Sequence, residues 1–150
     1  MRAIIQRVSS ASCSVNGLVS GAIGQGFMVL LGIEDRDNEE DLNWLAQKIF
    51  NMRIFSDENG LMNKALADVQ GDILLISQFT LFASTKKGNR PGFTRSARPE
   101  FAITVYAKMI LELERLTAKK IQTGIFGADM QISLINDGPV TIFIDTKAKE

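Results

Sequence analysis

The sequence predicts a mixed, sheet-dominated α/β fold in one domain spanning residues 1–150, with two curved β-sheets forming a barrel-like core and two main helices packed outside. Three observations lead there. The first third of the chain reads as strands joined by tight turns, two segments of helical period follow in its middle, and short strands return at the end.

Ala3 to Val15 is rich in β-branched and small residues, Asn16-Gly17 supplies the positive φ angles of a two-residue hairpin, and Leu18 to Ile23 returns beside it. Gly26 to Ile33 is a continuous apolar run, the pattern of a strand covered on both faces. The period then changes. Asp37 with Glu40 makes a capping pair, and Leu42, Leu45, Ala46, Ile49 and Phe50 recur on one helical face as far as about Met52; the stripe reads as core. After the turn-rich Asp57-Glu58-Asn59-Gly60, an apolar strand runs from Asp72 to Leu81 and ends in polar residues. Ala83 to Arg98, with Gly88, Pro91 and Gly92, is a long loop of the functional or disordered kind. Pro99 suits a first helical position, and Phe101, Val105, Met109, Leu113 and Leu116 mark the buried face of a second helix ending near Lys119-Lys120. Strands around 121–123, 130–135 and 140–145 finish the domain.

At 150 residues the chain buries roughly 68–70% of its unfolded surface, enough for a core without staples. No apolar run approaches the ~20 residues of a membrane helix, and the N-terminus turns polar too quickly for a signal peptide, which points to the cytoplasm and no membrane partner. Seventeen basic and seventeen acidic residues argue against nucleic-acid binding by bulk charge. The distribution is uneven, however. No acid lies from Ile73 to Pro99, where Lys86, Lys87, Arg90, Arg95 and Arg98 gather, while Glu34, Asp35, Asp37, Glu39, Glu40 and Asp41 cluster elsewhere.

The chain contains no histidine and one cysteine, Cys13. Ser-His-Asp and Cys-His catalysis need an imidazole, and a zinc site normally draws on several His and Cys, so neither metal nor cofactor is expected. Chemistry must rest on backbone groups, hydroxyls, carboxylates or a group of the substrate. Two short motifs look like walls of a site: Ser77-Gln78-Phe79-Thr80 at a strand end, and Asn136-Asp137-Gly138-Pro139-Val140-Thr141. Taken alone, the first reads more readily as the polar end of a strand than as a pair of backbone N–H groups, at Phe79 and Thr80, for an oxyanion. Thr80 lacks an evident base to make it a nucleophile.

These motifs resemble the D-aminoacyl-tRNA deacylases, also called D-tyrosyl-tRNA deacylases. Ile5-Gln6-Arg7-Val8, Val29-Leu30-Leu31-Gly32, Arg53-Ile54-Phe55-Ser56-Asp57, Met62-Asn63, Gln122-Thr123-Gly124 and Ala128-Asp129-Met130-Gln131 fall in the same order, so the resemblance spans residues 1–145. It implies hydrolysis of the ester of a D-aminoacyl-tRNA, and of glycyl-tRNA mischarged on alanine tRNA, assisted by the 2′-hydroxyl of the RNA. It implies a catalytic Ser77, Gln78, Phe79 and Thr80, a cis Gly138-Pro139 bond where the residues alone suggest an ordinary trans turn, and a homodimer in which that corner enters the neighbour's site. Proline lacks an N–H, so such a corner offers only acceptors, and two carbonyls facing one way would hold the α-ammonium. A D side chain then points outward and an L side chain meets the carbonyl wall; glycine escapes exclusion. Arg7 is expected to brace the corner, or else to be an exposed strand charge. Phe126 and Met130 either line the adenosine pocket or pack in the core. The loop from Lys86 to Arg98 either meets tRNA phosphates or is a solvated face.

Overall fold

The computed structural model describes residues 1–150. One long strand organises it. β1 (Arg2–Val15) pairs antiparallel with β2 (Leu18–Ile23) through its second half, with β3 (Gly26–Gly32) through its first half, and along its other edge with β8 (Gln131–Asp145). β6 (Asp72–Ser77) adds parallel to β3, and β7 (Gln122–Thr123) parallel to β6. The result is a single six-stranded sheet rather than two; its curvature brings β2 against β7 and nearly closes a barrel. Gly21 permits that approach, since a Cβ there would sit 2.7 Å from the Thr123 carbonyl oxygen. A separate two-stranded ribbon, β4 (Phe55–Ser56) and β5 (Met62–Lys64), holds the turn at 57–60.

The strand period of two splits the core. Phe27, Val29 and Leu31 of β3 point to a cluster of 20 buried residues beneath the helices, and Met28 to a second cluster of 7 inside the barrel, with Val8, Cys13, Leu74 and Ile76. β3 is thus covered on both faces, as its apolar run predicts. The Asn16-Gly17 turn has φ of 51° and 79°, the hairpin geometry expected.

α1 (Glu39–Asn51) buries Leu42, Leu45, Ala46 and Ile49, but its cap is one residue later than the sequence suggests. Asn38 accepts from the Asp41 amide and Asp41 from the Asn38 amide, both at 3.0 Å. Asp37 is occupied elsewhere: its buried carboxylate accepts from the Met1 amine and, at 2.8 Å, from the Glu34 amide. α2 (Pro99–Thr117) starts at its proline but ends before Lys119-Lys120, where Ala118 turns left-handed at φ 54°. Lys119 instead reaches Asp72 at 2.9 Å and the Gln70 carbonyl at 2.6 Å. Met109 and Leu113 are buried as expected, whereas Phe101, in the first turn, is 38% exposed. Tyr106 takes the deep place, its hydroxyl donating to the Leu75 carbonyl at 2.7 Å. The expected strands 130–135 and 140–145 are one strand, β8, distorted between them.

The C-terminal end is clasped by ion pairs from Arg2 to Asp145, at 2.8 Å, and from Lys147 to Asp41. Burial pushes both carboxyls up, but the bonds from Lys147 and the Asn38 amide to Asp41, and from Arg2 to Asp145, outweigh it and hold both below the ordinary value. A lowered folded value adds stability above the unfolded value and loses it as pH falls through the folded one. Thermal stability is therefore expected to fall progressively below about pH 4 from these two groups. Asp37 has the opposite sign, because burial raises it, so its contribution declines as pH rises from 3.8 through the raised value. Lys147→Ala should shrink the difference between melting temperatures at pH 7 and pH 3; an unchanged difference would remove Asp41 from the account.

Candidate active site

The strand expected to reach Leu81 stops at Ser77. The Gln78 amide makes the last ladder bond, to the Leu31 carbonyl at 2.7 Å, and Phe79–Phe82 then coil into a 3-10 turn. The first amides of a helical turn have no partner within it. Accordingly, the N–H groups of Phe79 and Thr80 donate to no protein acceptor. They stand together at the end of a central strand, with Phe79 58% exposed.

A cleft of about 240 Å³ lies beside them, lined by Ser77, Gln78, Phe79, Gly127, Met130 and Ile132 among others. On the other side of the same segment, a smaller hollow of about 70 Å³ is bounded by Leu31, Ala102 and Phe126. Phe126 and Met130 therefore come to the motif while also packing against the two core clusters. The Tyr106 ring backs Phe126, their centroids 5.8 Å apart. Thr80 lines neither hollow. Its hydroxyl accepts from Gln78 Nε2, a contact that orients the Gln78 amide, and no base lies among its bonded partners.

Sequence reasoning missed two supports of Phe79. Phe93 meets its ring edge-on at 5.2 Å, and Ser96 Oγ donates to its carbonyl at 2.9 Å. A hydroxyl and an aromatic in a long loop carry no signal of what they face.

The second motif is built separately. Gln6 is level with Thr141 and Val8 with Asn136, so Arg7 alone stands opposite Asp137, Gly138, Pro139 and Val140. The surplus bulges out and carries an exposed corner with a cis Gly138-Pro139 bond. Arg7 is 7% exposed rather than solvated. Its Nε donates to the Asp137 carbonyl at 2.9 Å and its Nη1 to the Ile54 carbonyl at 2.6 Å, while the Asp137 carboxylate lies 3.3 Å away. A planar guanidinium thus ties the base of the corner to the ribbon.

Within one chain the two motifs do not meet. Arg7 is level with Phe27 and Ile73, whereas Ser77 is level with Leu31 and Ala3. Four residues along the strands at ~3.3 Å each, and three strand-to-strand steps of ~4.8 Å, separate the corner from Ser77 by on the order of 20 Å.

A family model described as D-Tyr-tRNA(Tyr) deacylase matches residues 4–145. The chain belongs to that family. A relative named D-aminoacyl-tRNA deacylase from Flavobacterium johnsoniae is 57% identical over 150 residues, covering 100% of both chains. One of the same name from Bacteroides fragilis strain YCH46 is 55% identical, again over 100% of both. Among solved structures, one titled c-Myc DNA Unwinding Element Binding Protein is 41% identical with a TM-score of 0.91, covering 97% of this chain and 98% of its own. A structure titled as a probable eukaryotic D-amino acid tRNA deacylase is 17% identical with a TM-score of 0.82 and shares the deacylase fold, over 95% of this chain and 97% of its own. Membership of the deacylase family thus extends over nearly the whole chain and takes in both motifs.

Proposed function

We propose that this chain is a cytosolic hydrolase that cleaves the ester joining a D-amino acid, or glycine mischarged on alanine tRNA, to the terminal adenosine of tRNA. The observation that carries it is the pair of unpartnered amides at Phe79 and Thr80 beside a half-apolar cleft, in a chain of the deacylase family. Water adds to the ester carbonyl carbon, the carbonyl oxygen becomes an oxyanion received by those two amides, and the intermediate collapses by expelling the ribose 3′-oxygen. The adjacent 2′-hydroxyl orients the water and relays its proton to the departing oxygen. Gln78 orients the ester, with Ser77 at the cleft edge, and Phe126 and Met130 lie where the adenine would sit.

The chiral wall is the Gly138-Pro139 corner of a second copy. Its distance from Phe79 in one chain, its exposure, and its bracing by Arg7 support a homodimer in which each corner completes the neighbour's site. A rigid acceptor-only corner fixes the α-ammonium and leaves room for hydrogen or a D side chain, but not for an L side chain.

Turnover of D- and L-aminoacyl-tRNA at equal concentration tests the reading: the D ester should be released faster by at least 10²-fold, the discrimination that about 2.7 kcal/mol of steric conflict supplies. Equal rates would overturn it. Thr80→Ala should keep kcat within about tenfold, because the backbone amides remain, whereas a 2′-deoxy terminal adenosine should lower kcat about tenfold or more. Abolition by Thr80→Ala with indifference to the 2′-hydroxyl would establish a threonine nucleophile instead.

A further inference from the structure

The basic loop that follows the site extends the deacylase reading and rests on it. Ser84 and Gly92 close this loop with a pair of backbone bonds of 2.8 and 2.9 Å. Its base is fastened to the site by the Phe93 ring against Phe79 and by Ser96 Oγ on the Phe79 carbonyl. The cations that cluster here in sequence divide in space. Arg95 lies over the Phe82 ring and 3.5 Å from Glu34, and the Arg98 amide donates to Asp35 as α2 begins. Lys86, Lys87 and Arg90 form no ion pair, and with Ser84, Gly92 and Thr94 they line an open hollow of about 350 Å³ that contains no apolar side chain. No acid between Ile73 and Pro99 offsets them.

We propose that Lys86, Lys87 and Arg90 hold backbone phosphates of the nucleotides immediately preceding the terminal adenosine. An RNA end whose last ester lies at the Phe79 amide must pass the edge of Phe79, and the loop is fastened to that edge. Three like charges on one short loop repel one another, and a phosphate chain cancels that repulsion without needing any base identity. The hydroxyls of Ser84 and Thr94 add neutral donors suited to the same oxygens. The loop therefore recognises RNA as a polyanion and aligns it, leaving the ester chemistry to the strand end.

The test is the salt dependence of turnover of full-length D-aminoacyl-tRNA by the triple variant K86Q/K87Q/R90Q. A single-stranded contact contributes a slope of about 0.7 in log affinity against log salt per phosphate, so kcat/KM of the variant should depend on KCl more shallowly by about 2. KM at about 0.1 M KCl should rise at least tenfold with kcat within about twofold. Each single variant, K86Q, K87Q or R90Q, should lose about 0.7 of slope, and K108Q/K120Q, on exposed lysines of α2 and the segment after it, should change neither quantity. An unchanged KM, an unchanged slope, or a loss confined to kcat in the triple variant would overturn the phosphate role while leaving the deacylase reading intact. Absence of turnover in the unmodified protein would overturn the deacylase reading, and this inference with it.

Discussion

Gly138→Ala is expected to lower kcat/KM toward D-aminoacyl-tRNA by about 10²-fold, the cost of moving a positioning group by about 1 Å, while the protein remains folded. The backbone there has φ 130°, a region that L side chains rarely adopt. A Cβ would lie 2.9 Å from both the amide nitrogen and Cγ2 of Val140, and 3.1 Å from Arg7 Nη2. The corner would have to rotate and push against its own brace. The folding cost is about 1–3 kcal/mol, survivable for a domain of this size. Gly60→Ala is the matching control, because it also has positive φ, 78°, but nothing within 4 Å of the added carbon. It should lose comparable stability and no activity. Equal activity in the two variants would remove the corner from the catalytic site.

Arg7→Ala is expected to destabilise the protein by about 3–6 kcal/mol, the sum of two hydrogen bonds from a charged donor. Both acceptors are main-chain carbonyls, at Ile54 and Asp137, and the first bond is fully buried. For a chain of 150 residues, about 2–4 °C is lost per kcal/mol, so the melting temperature should fall by roughly 10 °C. The kinetic effect should be selective. With its base untied the corner samples several positions, so the rate on D-aminoacyl-tRNA falls and the preference over the L ester narrows. Arg7→Lys keeps the charge but not the fork, and can satisfy only one carbonyl well; it should recover about half the stability and only part of the discrimination. A variant that melts lower yet keeps the full D over L ratio would make Arg7 a scaffold residue alone.

Several misplacements in the sequence reading share one cause. Asp37 and Asn38 each stand three residues before an acid, so local rules permit either cap. The choice falls to Asn38 because Asp37 is claimed by the Met1 amine, a partner far away in sequence. Lys119 sits where a cation suits a helix end, but Asp72 and two main-chain carbonyls of the neighbouring turn draw it away. Phe101 fits the helical stripe and still stays 38% exposed, while Tyr106 reaches the Leu75 carbonyl from one residue beyond the expected row. In the basic loop, Glu34 belongs to a different segment, and only its approach separates Arg95 from the three unpaired cations. Local pattern ranks residues by what they could do; partners distant in the chain decide among the options.

The sequence by itself determined the kinds and order of the main elements, the N-terminal hairpin and strand and the two helices, since side-chain period and turn residues are local properties. It also excluded imidazole-based catalysis, since no folding can supply an absent histidine. Tertiary structure alone decided which amides lack partners and how far the two motifs stand apart. Those depend on where β6 stops against β3, and on the three extra residues that β8 carries opposite Arg7. Register between strands is set by the whole packed sheet, because a slip would turn every side chain of a buried strand to the wrong face.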